Sequence, residues 1–245
     1  PSLEHETGYQ THRGYWSSEW AKFLTTGYKQ YKFDAITATN VLAHVDDVYD
    51  FIKGVKLALS PDGVFFVEVP YVVDLIKDFR FDAIYHEHLS YFTATSLDRL
   101  MKLHALKIVK IQHVPVHGGS LAVWIRHENF SCDIHKSVSL YLGDKKEGRV
   151  EASPKSNMYS DFQNSLTASK ISSRKQLKEI EGLVGIYGAS AKATVFLNYM
   201  GLDNDIIYWA FDDNKSKQNL YIPGTGIRIY PVECKYVTFV DYLLL

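Results

Sequence analysis

The chain has 245 residues, 46% of them hydrophobic and 22% charged, a globular composition that excludes a disordered, collagen-like or coiled-coil protein. Its 27 basic and 28 acidic side chains nearly cancel, so no overall field draws it to nucleic acid or to an anionic membrane. Two cysteines, Cys132 and Cys234, are too few for a disulfide framework or a four-cysteine zinc site.

In chain order, residues 16–27 read as a helix: Ser17 or Ser18 caps it, Trp20, Phe23 and Leu24 share a face, and Gly27 ends it. Phe33 to Thr39 reads as a strand. Val48, Ile52, Val55 and Leu59 recur at helical spacing and predict a helix from about Asp46 to Leu59, with Asp46 and Asp47 at its positive end. Ser60-Pro61-Asp62-Gly63 is a turn signal, and Val64 to Val69 is a near-continuous apolar strand, the pattern of a sheet covered on both faces. A helix from about Thr95 to His104 precedes strands at Leu106 to Val114 and Ser120 to Arg126, whose close spacing predicts an antiparallel pair. From about Glu128 to Ile180 the composition turns polar and basic, with Lys145-Lys146 and a Ser/Lys-rich passage from Ser153 to Lys175, and reads as a helical connector. Leu183 to Tyr187 then predicts a strand, Gly188-Ala189-Ser190 a turn, Ala191 to Met200 a helix stopped by Gly201, and Ile206 to Phe211 a strand ending in Asp212-Asp213-Asn214. The terminal Val240 to Leu245 reads as an unfinished strand.

This alternation predicts an α/β protein with two domains, residues 1–127 and 181–245, joined by a connector over 128–180. The richest apolar stretch, Gly63 to Ile76, is broken by Glu68, Pro70 and Asp74 and is shorter than the ~20 residues of a membrane span. With no leader pattern at Pro1 to His5, the expectation is a cytoplasmic chain. Its missing initiator Met and apolar last residues suggest a cut at both ends.

The densest chemistry lies in Tyr85-His86-Glu87-His88-Leu89-Ser90-Tyr91. If extended, Tyr85 and Glu87 face one way and His86 and His88 the other. Histidine titrates nearest neutrality, and a carboxylate neighbour stabilises the imidazolium, so the string suits a catalytic base; a His-x-His metal site and a surface segment are the alternatives. His44 follows the Phe33–Thr39 strand directly, where open α/β sheets hold ligands, or it simply flanks a helix. His117-Gly118-Gly119-Ser120 presents amides to an anion or makes a tight hairpin, the latter being commoner. Tyr187-Gly188-Ala189-Ser190-Ala191-Lys192 has the strand–glycine turn–helix form that points N–H groups at phosphate, or is an ordinary βα turn. Lys217 to Thr225 is polar and turn-rich, suited to closing over the same ligand.

Taken in this order, Phe33–His44, Gly63–Leu75, Phe81–Phe92, His117–Ser120 and Tyr187–Lys192 resemble the nucleotide-sugar C-methyltransferases, which include the sugar 3-C-methyltransferases of branched deoxysugars. The similarity runs from about Tyr15 to Tyr242. The resemblance implies a partial class I S-adenosylmethionine domain with a Rossmann-like fold, followed by a smaller Rossmann-like domain for a nucleotide-sugar substrate. It implies abstraction of a proton next to a ketone by His88, with Tyr85, Glu87 and His44 assisting, and attack of the enolate on the donor methyl. Asn40 and Glu68, at strand ends, then line the donor. His117, Gly118, Gly119, Tyr187, Gly188, Ala189, Ser190 and Lys192 hold the sugar nucleotide, and no metal is expected at His86 and His88. The family's glycine-rich first turn, its acidic ribose residue and its cysteine-rich zinc module have no counterpart in these residues. The expectation is therefore a truncated methyltransferase; the rivals are a non-catalytic nucleotide-sugar-binding chain and a methyltransferase of some unrelated small acceptor.

Overall fold

The computed structural model describes residues 13–28, 32–144, 147, 148, 150 and 157–245. Lys145, Lys146, the first residues of the Ser/Lys-rich passage and the Pro1–His5 end lie outside them. The chain divides into two compact units, Pro1–Pro70 with Phe92–Asp144, and Tyr71–Tyr91 with Lys145–Leu245. Both are α/β, as the alternation of periods predicts. Among the described residues, no helix is long and apolar enough to cross a membrane.

The first unit begins with helix α1 (Ser18–Lys22), capped by Ser17, whose hydroxyl accepts from the Trp20 N–H. It packs on α2 (Val48–Ala58) where Gly54 allows close approach, since a Cβ there would sit 2.9 Å from the Ser17 carbonyl oxygen. Asp50 of α2 accepts from the Ser18 N–H and hydroxyl. These bonds hold its carboxyl below the usual carboxylate range.

The sheet runs in the order β1-β2-β4-β3, from β1 (Phe33–Thr39), β2 (Leu59–Pro70), β3 (Leu106–Val114) and β4 (Ser120–His127). The β1–β2 pair is parallel and the other two pairs are antiparallel. The Ser60–Gly63 turn signal does not end an element. These residues bulge out of β2 opposite Asp34, between the pairs Phe33–Leu59 and Ala35–Val64. Nor is β2 covered on both faces: Phe65, Val67 and Val69 are buried, while the residues between them are half-buried. Helix α4 (Ala94–Leu103) is capped by Thr93, which exchanges hydrogen bonds with Ser96. It sends Leu97 and Met101 into a core that also buries Ile52, Phe65 and Ile125. Helix α5 (Lys136–Leu142) packs on β3.

The second unit takes in α3 (Val72–Lys77), the 81–91 segment, the long helix α6 (Asn157–Glu179), and a parallel sheet ordered β7-β6-β5-β8. Its strands are β5 (Val184–Tyr187), β6 (Trp209–Phe211), β7 (Ile229–Tyr230) and β8 (Tyr242–Leu244). Strand β6 starts three residues later than the apolar run predicts, because the Ile206 and Ile207 amides fold back onto the Asp203 carbonyl. Helix α7 (Ala191–Met200) ends where expected, on Gly201 in the left-handed region at φ 66°. Val184, Ile186, Leu197, Ile207, Ala210 and Ile229 make the core. The 217–225 segment is not a loose flap: Ile222 and Thr225 are buried, and Ile222 bonds to the Ile227 carbonyl.

Candidate active site

The Tyr85-His86-Glu87-His88 string is a turn, closed by the His88 N–H bonding the Tyr85 carbonyl at 2.9 Å. An extended segment would set Tyr85 beside Glu87; the turn sets it against His88 instead, ring centroids 4.3 Å apart. His88 Nδ1 lies 2.7 Å from the Ala83 carbonyl oxygen, and Nε2 lies 3.2 Å from the Tyr85 hydroxyl. A carbonyl only accepts, so the proton sits on Nδ1, and Nε2 keeps the basic lone pair to which the phenol donates. Tyr91 meets the same imidazole edge-on at 6.2 Å. Burial, reinforced by the Glu87 carboxylate, pushes the Tyr85 phenol up, so it stays protonated at neutral pH. Burial pushes Tyr91 up as well. Glu87 and His86 point out into solvent, 4.0 Å from each other. Among the described residues, no group of three His, Cys, Asp or Glu side chains is placed to hold a metal.

This segment is anchored by aromatic packing within its own unit. Phe79 stacks on Phe162 of α6, and Phe81 packs on Phe196 and Tyr199 of α7 at 6.1 and 4.7 Å. Phe81 and Asp82 also form one wall of a cleft of about 640 Å³. Opposite lie Ile186, Tyr187 and Gly188 at the carboxyl end of β5, Ser190 and Lys192 at the start of α7, and Leu244 and Leu245 at the end of β8. The sheet order makes this a special place: β6 and β7 lie to one side of β5 and β8 to the other. The strand order therefore reverses between β5 and β8, and open α/β sheets bind ligands at that switch point.

The β5–α7 turn shows how its amides are spent. Gly188, at φ 93°, donates its N–H to the Phe211 carbonyl, and the Ala189 N–H goes to Asp212 Oδ2 at 2.8 Å. Ala189 is thus buried under the turn and is not a wall of the cleft. The Ser190 hydroxyl caps α7 by accepting from the Ala193 N–H. Asp212 also accepts from the Asn214 N–H and Lys217 Nζ. Burial alone would raise its carboxyl, but these donors outweigh burial and hold it below the usual range. Tyr187 donates to Asp213, which pushes the phenol up.

Other expected site residues belong to the first unit. Asn40 follows β1 at φ 53° and bonds Glu68 of β2 twice, N–H to carbonyl at 2.9 Å and Nδ2 to Oε1 at 3.1 Å. Its Oδ1 is buried with no hydrogen-bond partner. His44 closes a short 3-10 turn, Leu42–His44, packed on β2. His117, Gly118 and Gly119 all have positive φ in the connection between β3 and β4, where the Ser120 hydroxyl donates to the Val116 carbonyl. They form a tight hairpin.

Sequence reasoning passed over the wall contributed by α6. Ser173, Gln176, Leu177 and Ile180 line the cleft, and their i, i+3, i+4, i+7 spacing is the signal of a shared helical face. The Ala83 carbonyl and the Asp212 carboxylate carried no such signal, since each acts through a contact made only in the folded chain.

Comparison with known proteins adds the following. The family described as C-methyltransferase C-terminal domain matches residues 115–245, and the methyltransferase domain family matches residues 4–111. The C-methyltransferase NovU of Streptomyces niveus is 32% identical over 206 residues, 83% of this chain and 48% of NovU. The chain therefore spans about half the length of that curated relative. Among solved structures, PKMT2 of Rickettsia typhi in complex with AdoHcy is 12% identical, with a TM-score of 0.31 over 47% of this chain and 40% of its own; at that score the likeness carries no argument.

Proposed function

The chain belongs to the C-methyltransferase family, and on that premise we propose that it takes part in S-adenosylmethionine-dependent methylation of a carbon next to a ketone, on a deoxysugar linked to a nucleoside diphosphate. The single observation that carries this reading is the wiring of His88. An α-proton of a ketone needs a base poised near neutrality and a donor for the oxygen on which charge develops. The Ala83 carbonyl holds Nδ1–H at 2.7 Å, so Nε2 is the basic atom, and the bond strengthens as the ring becomes imidazolium. Nε2 takes the proton, the C–H electron pair moves into the carbon–carbon bond, and the former ketone oxygen becomes an enolate oxygen. Tyr85, kept as a phenol, donates a hydrogen bond there. With the donor bound, the carbon would take the methyl group as the methyl–sulfur bond breaks, that bond's electron pair staying on sulfur as the neutral thioether leaves. His44 and Glu87 are proposed to assist.

One atom supports the fit of the donor to the residues present. Asn40 Oδ1 is a buried acceptor without a donor, and the ammonium of an amino-acid moiety supplies one. With Glu68 this forms a wall suited to the amino-acid end of S-adenosylmethionine, which when bound supplies an electrophilic methyl on sulfonium. The nucleotide is assigned to the switch-point cleft. The start of α7 and Lys192 suit the diphosphate, a charge pairing of about 0.3–1 kcal/mol at an exposed helix end, and the apolar walls suit the base. His117, Gly118 and Gly119 are proposed as further contacts to the sugar nucleotide.

Solvent exchange tests the base without relying on the donor. In D2O, the chain is expected to wash deuterium into the carbon next to the ketone of a thymidine-diphosphate-4-keto-6-deoxysugar. His88→Asn is expected to slow this by about 10²–10⁴-fold. Equal exchange by the two proteins would remove the assignment.

A further inference from the structure

We infer that the turn Phe81–Ala83 couples the nucleotide cleft to the base, so that a nucleoside diphosphate seated in the cleft sets the position of the His88 imidazole. This rests on the cleft being the nucleotide site, and it adds a positioning route to that reading.

Three neighbouring residues carry the link. Phe81 and Asp82 are cleft wall, while the next carbonyl, that of Ala83, receives His88 Nδ1–H. The turn is short and closed: the Ala83 N–H bonds the Arg80 carbonyl at 3.1 Å, and the Ile84 N–H bonds the Phe81 carbonyl at 2.9 Å. With consecutive Cα atoms about 3.8 Å apart and both ends hydrogen-bonded, the wall cannot shift without carrying the Ala83 carbonyl with it. The Phe81 ring also rests on Phe196 and Tyr199 of α7, the helix whose start supplies Ser190 and Lys192 to the same cleft. Cleft and base therefore share one mechanical element.

Such a link has a chemical use. A base whose imidazole is set in place by the seated nucleotide spends its basicity on the tethered sugar and not on stray carbonyl compounds. Phe81 is thus a positioning residue, acting on the reaction through Ala83 and His88.

The test follows the ring nitrogens of His88 by NMR on the whole chain labelled with 15N-histidine, the signals identified by their loss in His88→Gln. Uridine diphosphate and thymidine diphosphate are titrated separately. The expected result is that at least one of them binds and moves the His88 nitrogen shifts, that Phe81→Ala still binds it, about tenfold more weakly, and that the His88 shift is then lost. Phe81→Leu, which keeps most of the packing, is expected to restore it at least in part. Binding that leaves His88 unmoved in the wild-type chain would overturn the coupling and spare the cleft assignment. An undiminished His88 shift in Phe81→Ala would overturn the route through Phe81. No binding of either nucleotide would overturn the cleft assignment and the coupling with it. Should Phe81→Ala not fold, the wild-type titration and Phe81→Leu decide the matter.

Discussion

Two corners of the molecule each hold a histidine clamped by a backbone carbonyl, and they are wired in opposite senses. At the 81–91 turn of the second unit, the carbonyl takes the Nδ1 proton of half-buried His88, and Nε2 meets the Tyr85 phenol. At the end of β4 in the first unit, the Leu59 carbonyl takes the Nε2 proton of buried His127 at 3.2 Å. Its Nδ1 accepts from the Lys56 ammonium at 2.7 Å, and Lys56 also donates to the Ala105 carbonyl. Burial, together with the Lys56 and Lys32 charges, pushes His127 down, although its bond to Leu59 works the other way. One imidazole offers its lone pair to a weak, displaceable donor. The other has surrendered its lone pair to a cation and knits α2, β2 and β4 together. Carbonyl clamping alone does not make a base; what faces the second nitrogen decides.

Swapping the damage between the two corners breaks the comparison most sharply. Beyond the exchange loss expected for His88→Asn, that variant should lose no more than about 1 kcal/mol of stability, the worth of the bond to the Ala83 carbonyl. His127→Ala is expected to do the reverse: it leaves the Lys56 ammonium and the Leu59 carbonyl short of a partner and opens a cavity, at a cost of about 2–3 kcal/mol, with deuterium wash-in per folded molecule unchanged. Urea denaturation of both variants, run beside the exchange assay, checks the pair of outcomes. A smaller effect within the first corner sharpens it further. Tyr85→Phe keeps the ring against His88 but removes the donor, so exchange should fall about tenfold, the worth of one hydrogen bond to developing charge of roughly 1.4 kcal/mol. An unchanged rate would mean that the phenol only packs.

Both corners show what a sequence carries and what it withholds. The Ser17 cap, the Val48–Ala58 periodicity, the β3–β4 hairpin and the Gly201 stop are legible because each depends on residues a few positions apart. The Ser60–Gly63 signal misleads, since a turn chemistry that elsewhere ends a strand is absorbed here as a bulge against Asp34. The 85–91 string displays its proton-transfer groups openly. Which of them meet depends on whether the backbone is extended or turned, and that choice is made by Phe79 and Phe81 packing on helices more than eighty residues further along. The cleft is half legible: Gly188, Ser190 and Lys192 stand in a recognisable turn, whereas the reversal of strand order beside β5 follows only from where β8 inserts. His127 gives no local hint at all, because Lys56 and Leu59 approach it across the sheet.

The mildest perturbation isolates the cation that distinguishes the two histidines. Lys56→Met keeps most of the apolar stem and removes the charge on which His127 Nδ1 rests. In the wild-type chain, the folded His127 resists protonation below the ordinary histidine value of about 6.5, whereas the unfolded chain takes up its proton there. The unfolded state then binds more protons, so stability is fully present above that value and is lost as pH falls toward the folded one. Lys56 itself is pushed down, first by burial and then by Lys32, with Glu128 opposing, so the strain is shared by the two partners of one bond. With Met at position 56, Nδ1 loses its donor, a cost of about 1 kcal/mol above pH 7. It also loses the neighbouring charge that opposes a proton, so the acid-side decline should become shallower. Urea midpoints measured from pH 7.5 down to 5.5 should show the variant less stable at the top of the range and the two curves converging toward the bottom. Parallel curves would mean that His127 is held neutral by burial alone, and that the ammonium facing its second nitrogen is not what sets it apart from His88.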